Sequence, residues 1–229
     1  MKSWRPRSIR WSFGEYPPSP KSPYRLMVEG PDDQWTIINL LARHGYDWNN
    51  AAALRPYVEP VGGVEKLLAR ATLSTALKTY ERLGLVIDAD LSSPQRWQQV
   101  RDIFRELGIS LPAAPSPDGT LVAGIRPNSR VGIWLMPDNS QPGRIAEFIE
   151  KLIPPGDPLW PHAQTATTQA LTLGASLRQQ DHVKGAIHAW LAWQEDPGLP
   201  FGTALASEVL GHDSPEAQRF VGWFRQCFT

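Results

Sequence analysis

The segment LGLVI, residues 83–87, is continuously apolar and runs straight into Asp88, Ala89 and Asp90. A strand without polar alternation has no face to offer water, so it must lie in a sheet covered by helices on both sides. That requirement restricts the chain to layered α/β folds. It also poses a problem at the strand's end. Side chains two apart on a strand share one side, so an extended chain through VIDAD aims both carboxylates into one small volume. Two like charges that close need a cation between them, a proton on one of them, or a turn that gives both to solvent.

The flanking sequence supplies the helices. YRLMV from Tyr24 reads as a short strand, EGP as a turn, and Pro31 suits the first helical position of a segment with Trp35, Ile38, Leu41 and Ala42 on one face and Gly45 as its stop. A second helix is expected from Val64 to about Arg82, behind the turn VGG. Ser93 and Pro94 open another, with Trp97, Val100, Ile103, Phe104 and Leu107 as its buried stripe and Gly108 as its end. LPAAPSPDG is a loop, LVAGI and VGIWLM form a strand pair about PNSR, and Pro142 with Gly143 introduces the helix RIAEFIEKLI. Beyond Pro158 the strand signals stop; helices are expected near 160–179, 181–195 and 215–228, with a break at DPGLPFG.

The expected architecture is a mainly parallel sheet between helical layers, followed by C-terminal helices packed on the sheet or appended to it. Three parts follow: a basic, proline-rich arm over residues 1–22, an α/β domain over 23–157 and a helical part over 158–229. With 229 residues, 41% of them hydrophobic, the chain can bury a full core. Lys plus Arg equals Asp plus Glu at 23 each, so no global field draws in nucleic acid and any such partner needs a local patch. The single cysteine, Cys227, excludes an internal disulfide framework and cysteine-based zinc sites. No run reaches the apolar length of a membrane span, and MKSWRPRSIRW lacks a secretory core, so a cytoplasmic protein without membrane contact is expected.

Ligands of open parallel sheets gather beyond the carboxyl ends of the strands. Glu29 follows YRLMV there, Asp88 and Asp90 follow LGLVI, and Asp138 follows VGIWLM. Four carboxylates from three separate strands suit Mg2+ or Mn2+, hard ions that take oxygen ligands and complete their shell with water or phosphate. Each acid alone serves equally as a turn or helix cap, above all Asp138 beside Asn139. Convergence is what favours the metal. Gly62 and Gly63 precede a helix whose amides could receive a phosphate, or form a plain turn with positive φ. Lys184 stands nearly alone as a charge in HVKGAIHAWLAW. Nucleophile elbows and phosphate-binding P-loops of the G-x-x-x-x-G-K-S/T type are missing.

The order VEGPDD, then VIDAD after a buried strand, resembles the Toprim domain shared by topoisomerases, bacterial primases and the overcoming-lysogenization-defect nucleases. A closer resemblance is to a small Toprim-like family of unknown function, carried by VEGPDD, the glycine pair at 62 and 63, VIDAD, WLMPDN with its following glycine and acidic helix start, and KGAIHAWLAWQEDPG from Lys184. The resemblance implies a Toprim-like three-layer fold. It also implies a general acid or base at Glu29, metal ligation by Asp88 and Asp90, a second acidic group from Asp138 and Glu147, and charge stabilisation by Lys184. The chain departs from the pattern at Ala146, where the family carries an acid.

The function so implied is Mg2+- or Mn2+-dependent phosphodiester chemistry on nucleic acid, DNA in preference to RNA. Its expected form is a nicking or cutting nuclease that works in phage defence with an ATPase on another chain. The competing expectations are a catalytically weak Toprim-fold module that binds protein or nucleic acid, and a primase-like nucleotidyl transferase. Arg5, Arg7 and Arg10, interleaved with Trp4 and Trp11, are the candidate contacts to a phosphate backbone. If these arginines neutralise phosphates, deleting residues 1–20 weakens duplex binding and lowers the slope of log affinity against log salt by about three. An unchanged slope in a salt titration removes the arm from binding.

Overall fold

The computed structural model describes residues 21–49 and 54–229. The arm that carries Arg5, Arg7 and Arg10 lies outside these residues. Elements follow in the order β1 (Tyr24–Val28), α1 (Pro31–Arg43), β2 (Tyr57–Pro60), α2 (Val64–Leu67), α3 (Arg70–Thr79), β3 (Arg82–Asp88), α4 (Ser93–Glu106), β4 (Thr120–Ala123), β5 (Arg130–Met136), α5 (Ile145–Glu150), α6 (Leu159–Thr172), α7 (His182–Leu191), α8 (Phe201–Ala206) and α9 (Pro215–Phe228). The strands form one sheet in the order β2-β1-β3-β5-β4. All neighbours are parallel except β4, which runs antiparallel to β5. The fold is a three-layer α/β sandwich. Among the described residues no helix is long and apolar enough to cross a membrane.

β3 sits centrally and is buried from Leu83 to Asp88. Its alternate residues feed two separate cores. Leu83, Leu85 and Ile87 join Val131, Ile133 and Leu135 of β5 under α3 and α4, where Leu73, Leu77, Trp97 and Phe104 meet them. On the opposite face Val86, Trp134 and Met136 pack with α1, α5 and the C-terminal helices. Each fully buried Leu, Ile or Val contributes about 1.5–3 kcal/mol, which favours burial on both faces over any one-sided arrangement.

The C-terminal helices complete the second layer rather than hanging from it. α9 crosses β3 and β5 where Gly84 and Gly132 face each other in register. A Cβ at Gly84 would stand 2.6 Å from Leu26 and 2.9 Å from the Phe228 ring, and one at Gly132 would stand 2.7 Å from the Cys227 sulfur. The paired glycines therefore open the slot into which α9 settles. Trp134 meets Phe220 edge to face at 5.2 Å in the same layer. α8 packs across α1, and a Cβ on Gly202 would stand 2.7 Å from the Trp35 carbonyl carbon. Arg43 ties the pair to the following loop through the carbonyls of Leu205 at 2.9 Å and Leu210 at 3.2 Å.

Several expectations are corrected. The helix from Val64 to Arg82 is two helices, broken where Ala69 takes an extended backbone with ψ 128°, and Arg82 already belongs to β3. Leu67, Leu68 and Leu73 are all buried, so packing of this corner outweighs the local helical preference. α4 begins at Ser93 as expected, capped by Ser92, whose side chain accepts from the Gln95 amide. α1 is buried over far more than a stripe because it lies between the sheet and α8: Ile37 and Leu40 are inside, whereas Trp35 and Ala42 are only partly covered. YVEP forms the edge strand β2, and the break at DPGLPFG contains the start of α8.

Gly132→Ala is expected to destabilise the protein by about 1–3 kcal/mol, because the buried cysteine and tryptophan of α9 must move. Gly222→Ala, inside α9 where an added Cβ meets nothing within 4 Å, is expected to stabilise it by about 0.5–1 kcal/mol. Urea denaturation of both variants checks the contrast; equal effects would show that α9 does not depend on the slot.

Candidate functional site

A cleft of about 390 Å3 opens beyond the carboxyl ends of β1, β2 and β3. Its walls come from the Glu29–Asp33 turn, Gly62 and Gly63, Asp88, the Arg144–Glu147 start of α5, and Gln180, Asp181 and Lys184 beside α7. The sheet order places β1 next to β3. The ends of adjacent parallel strands therefore deliver Glu29 and Asp88 to one point. Glu29 Oε1 accepts the backbone amide of Asp88 at 2.9 Å, and Asp88 Oδ1 accepts the Ile145 amide at 3.1 Å.

Burial dominates the electrostatics of this pair. Asp88 is 9% exposed. Loss of hydration, then the charges of Glu29, Asp33 and Asp90, hold its carboxyl well above the ordinary carboxylate range against the pull of the Ile145 amide. Glu29 is pushed up to about 7 by burial and by Asp33 and Asp90, with the Asp88 amide and Arg96 opposing. Asp33, buried in the first turn of α1, is raised to about 6 by burial although the Gly30 amide donates to it at 2.7 Å. Three acids thus share one poorly hydrated pocket.

Asp90 behaves differently from its partner in the D-x-D. β3 ends at Asp88, and Asp90 takes a left-handed backbone with φ 52°. Its main chain pairs with Gly143 in both directions, at 2.9 and 2.7 Å. Its carboxylate binds Arg96 Nη2 at 2.5 Å and Arg144 Nε at 3.2 Å. The expectation that both aspartates point into one volume is corrected: the strand's alternation has already ended, and two guanidiniums draw Asp90 to themselves.

The remaining candidates divide in the same way. Glu147 lines the cleft but accepts the Arg144 amide at 2.6 Å, closing the first turn of α5. Asp138 does not line it. Its carboxylate holds a turn through the amides of Ser140 and Gln141 at 2.9 and 2.8 Å; partial burial would raise it, and these bonds with the Ser140 hydroxyl bring it below the ordinary range. Lys184 lines the cleft and pairs with Asp32 at 3.2 Å. Gly62 and Gly63, with φ 86° and 107°, both donate their amides to the Glu29 carbonyl at 2.9 Å. They hold the turn that positions Glu29, and those two N–H groups are already spent.

Among the described residues no three His, Cys, Asp or Glu side chains converge to hold a metal ion. Glu29 and Asp88 each use one carboxylate oxygen on a backbone amide, and the second oxygen of each is what a hard cation would have to use here. Arg144, Asp33, Asp181 and Gln180 were not singled out from the sequence. Asp33 was legible in VEGPDD as an acid one turn from Glu29, and Arg144 as a cation at the start of RIAEF.

Raised carboxyl pKa values make the cleft cost stability as pH rises. Between the ordinary value of 4.5 and about 7, folded Glu29 retains a proton that the unfolded chain has released. Its contribution is therefore lost through that window and stays lost above it. In EDTA the urea midpoint is expected to fall between pH 5 and pH 8, and Glu29→Gln is expected to flatten the fall. A midpoint that rises over this range contradicts the electrostatic account.

A family model described as "Protein of unknown function (DUF3226)" matches residues 23–229. No curated protein and no solved structure matches the chain. Extending from the start of β1 to the last residue, the match takes in every element that builds the cleft, and the chain belongs to that family.

Proposed function

We propose that the protein carries out Mg2+- or Mn2+-dependent phosphodiester chemistry on nucleic acid, as a Toprim-like nuclease that nicks or cuts DNA. The observation that carries this reading is the Glu29–Asp88 contact. Adjacent strand ends place two carboxylates in a cleft whose walls also hold Arg144 and Lys184. Acids alone would repel a phosphate; acids with a bound cation, flanked by fixed cations, attract one.

Asp88 would hold the ion, with Glu29 beside it. A Mg2+ or Mn2+ ion bound there supplies polarisation of a phosphoryl oxygen. Glu29, partly exposed to the cleft just after β1, is the group placed to take and return a proton. Lys184 must leave Asp32 to reach an anion, a modest cost because that pair is more than 40% exposed on each side, at 44% and 60%. Asp33 keeps Gly30 and the Glu29 turn in place. The Toprim resemblance extends the proposal to an ATPase partner on another chain and a role against phage.

A second reading is favoured by the capture of Asp90 by two arginines and by Ala146, which is buried and without charge. On that reading the cleft binds nucleic acid or protein and turns over slowly or not at all. Supercoiled plasmid with Mg2+ or Mn2+ separates the two. Nicking is expected, stopped by EDTA and lowered by about 100-fold or more in Glu29→Gln and Asp88→Asn. Plasmid binding without cleavage leaves the binding module, and incorporation of labelled nucleotide instead of cleavage points to nucleotidyl transfer.

A further inference from the structure

The carboxyl edge of the sheet gathers acids; its amino edge gathers arginines. Arg82 opens β3 and Arg130 opens β5, and the two are partners in the parallel register. Leu83 and Val131 face the core under α3 and α4, so strand alternation turns Arg82 and Arg130 to the other face, towards α9. They line a hollow of about 440 Å3 with Leu121 and Val122 of β4 and with Asn128 and Ser129 of the turn before β5. Small-molecule sites span roughly 300–1,000 Å3, and the hollow falls within that range. Arg82 and Asp88 stand at opposite ends of β3, about 20 Å apart along an extended strand, so the hollow is separate from the cleft.

Only neutral groups hold these two arginines. Arg82 Nη1 donates to the carbonyls of Asn128 at 2.7 Å and Glu81 at 3.3 Å, and Arg130 Nη1 donates to the Gln226 carbonyl in the last turn of α9. Among the described residues neither guanidinium forms an ion pair, and Glu81, the acid nearest in sequence, is exposed and forms none either. Arg126, whose Nη1 holds the Thr79 carbonyl at 2.8 Å, adds a third cation without an ion pair at the same edge. Burial pushes the Cys227 thiol up to about 12 while Arg130 and Arg82 both draw it down, so the fields of the two arginines overlap there.

Bracing the turn and the end of α9 uses only Nη1 of each residue. The Nε–Nη2 edge is the side of the planar fork that presents two parallel N–H groups, and in Arg82 the buried Nε meets no acceptor. Like charges side by side on neighbouring strands repel, and a hollow lined by them focuses positive potential. An anion with several oxygens relieves both conditions at once.

We propose that this hollow binds a phosphate group carried by a small molecule, with Arg82 and Arg130 as its donors. Two guanidiniums at one hollow make a point of charge rather than a track, which fits a small ligand better than a nucleic-acid backbone. The site does not depend on the chemistry proposed for the cleft.

Inorganic pyrophosphate titrated into the full-length protein in EDTA, and followed by amide nitrogen–proton NMR, tests the site. Shifts are expected at Val122, Asn128, Ser129 and Arg130, with Asp88 and Ile145 in the cleft unmoved. Arg82→Gln is expected to bind about tenfold or more weakly than wild type, with Arg82→Lys between them. Arg82 is the cleaner position, since Arg130 also holds the end of α9. Unmoved amides at the hollow in the wild-type protein, a result that needs no variant to fold, overturn the proposal, as does equal affinity in Arg82→Gln. A short DNA single strand that shifts the same amides at lower concentration than pyrophosphate overturns the small-molecule source and assigns the phosphate to nucleic acid.

Discussion

A strand sealed on both faces can release charge to water only at its ends. β3 is such a strand, with Leu83, Leu85 and Ile87 committed to one core and Val86 to the other. Its apolar run ends at Asp88, and the neighbouring strand β1 ends just before Glu29. The parallel register brings both ends to the same edge of the sheet. The slot at Gly84 and Gly132 belongs to this constraint, because α9 closes the second face only if its aromatic and cysteine side chains can reach the strand backbone. Seal and site are consequences of one packing arrangement.

The seal sets the electrostatics of the cleft. Backbone amides of Asp88 and Ile145 reach the acids, but a fixed dipole does not replace the hydration that burial removes. The carboxyls of Glu29, Asp33 and Asp88 therefore all titrate high. Asp90, Asp181 and Asp32 each sit against arginine or lysine. The cleft thus holds two kinds of acid, some met by neutral amides and some paired with arginine or lysine. Strongly perturbed acids within a cleft mark functional sites more often than structural ones.

Much of this is legible along the chain. The unbroken apolar run before Asp88 announces a doubly covered strand, and the acids after Tyr24–Val28 and Arg82–Asp88 announce the active edge of a parallel sheet. Less legible are elements whose formation depends on neighbours. YVEP is too short and too polar to read as a strand until β1 offers it a hydrogen-bonded edge. Residues 201–206 are helical because α1 presents a surface that only Gly202 can approach so closely. The helix from Val64 breaks at Ala69 without any proline or glycine to signal it, since burial of Leu67, Leu68 and Leu73 decides the geometry.

The D-x-D marks the boundary between the two kinds of information. Hydrophobic pattern, a local and cumulative property, was enough to determine the strand, its burial and the emergence of Asp88 at its carboxyl end. Where the strand stops and which way Asp90 then turns were decided by groups far off in sequence: Gly143 pairing with its backbone, and Arg96 and Arg144 competing for its oxygens. Charges interact through space and not along the chain, so spacing could bring the acids into view. Only the tertiary structure could say which of them meets a cation of the protein's own.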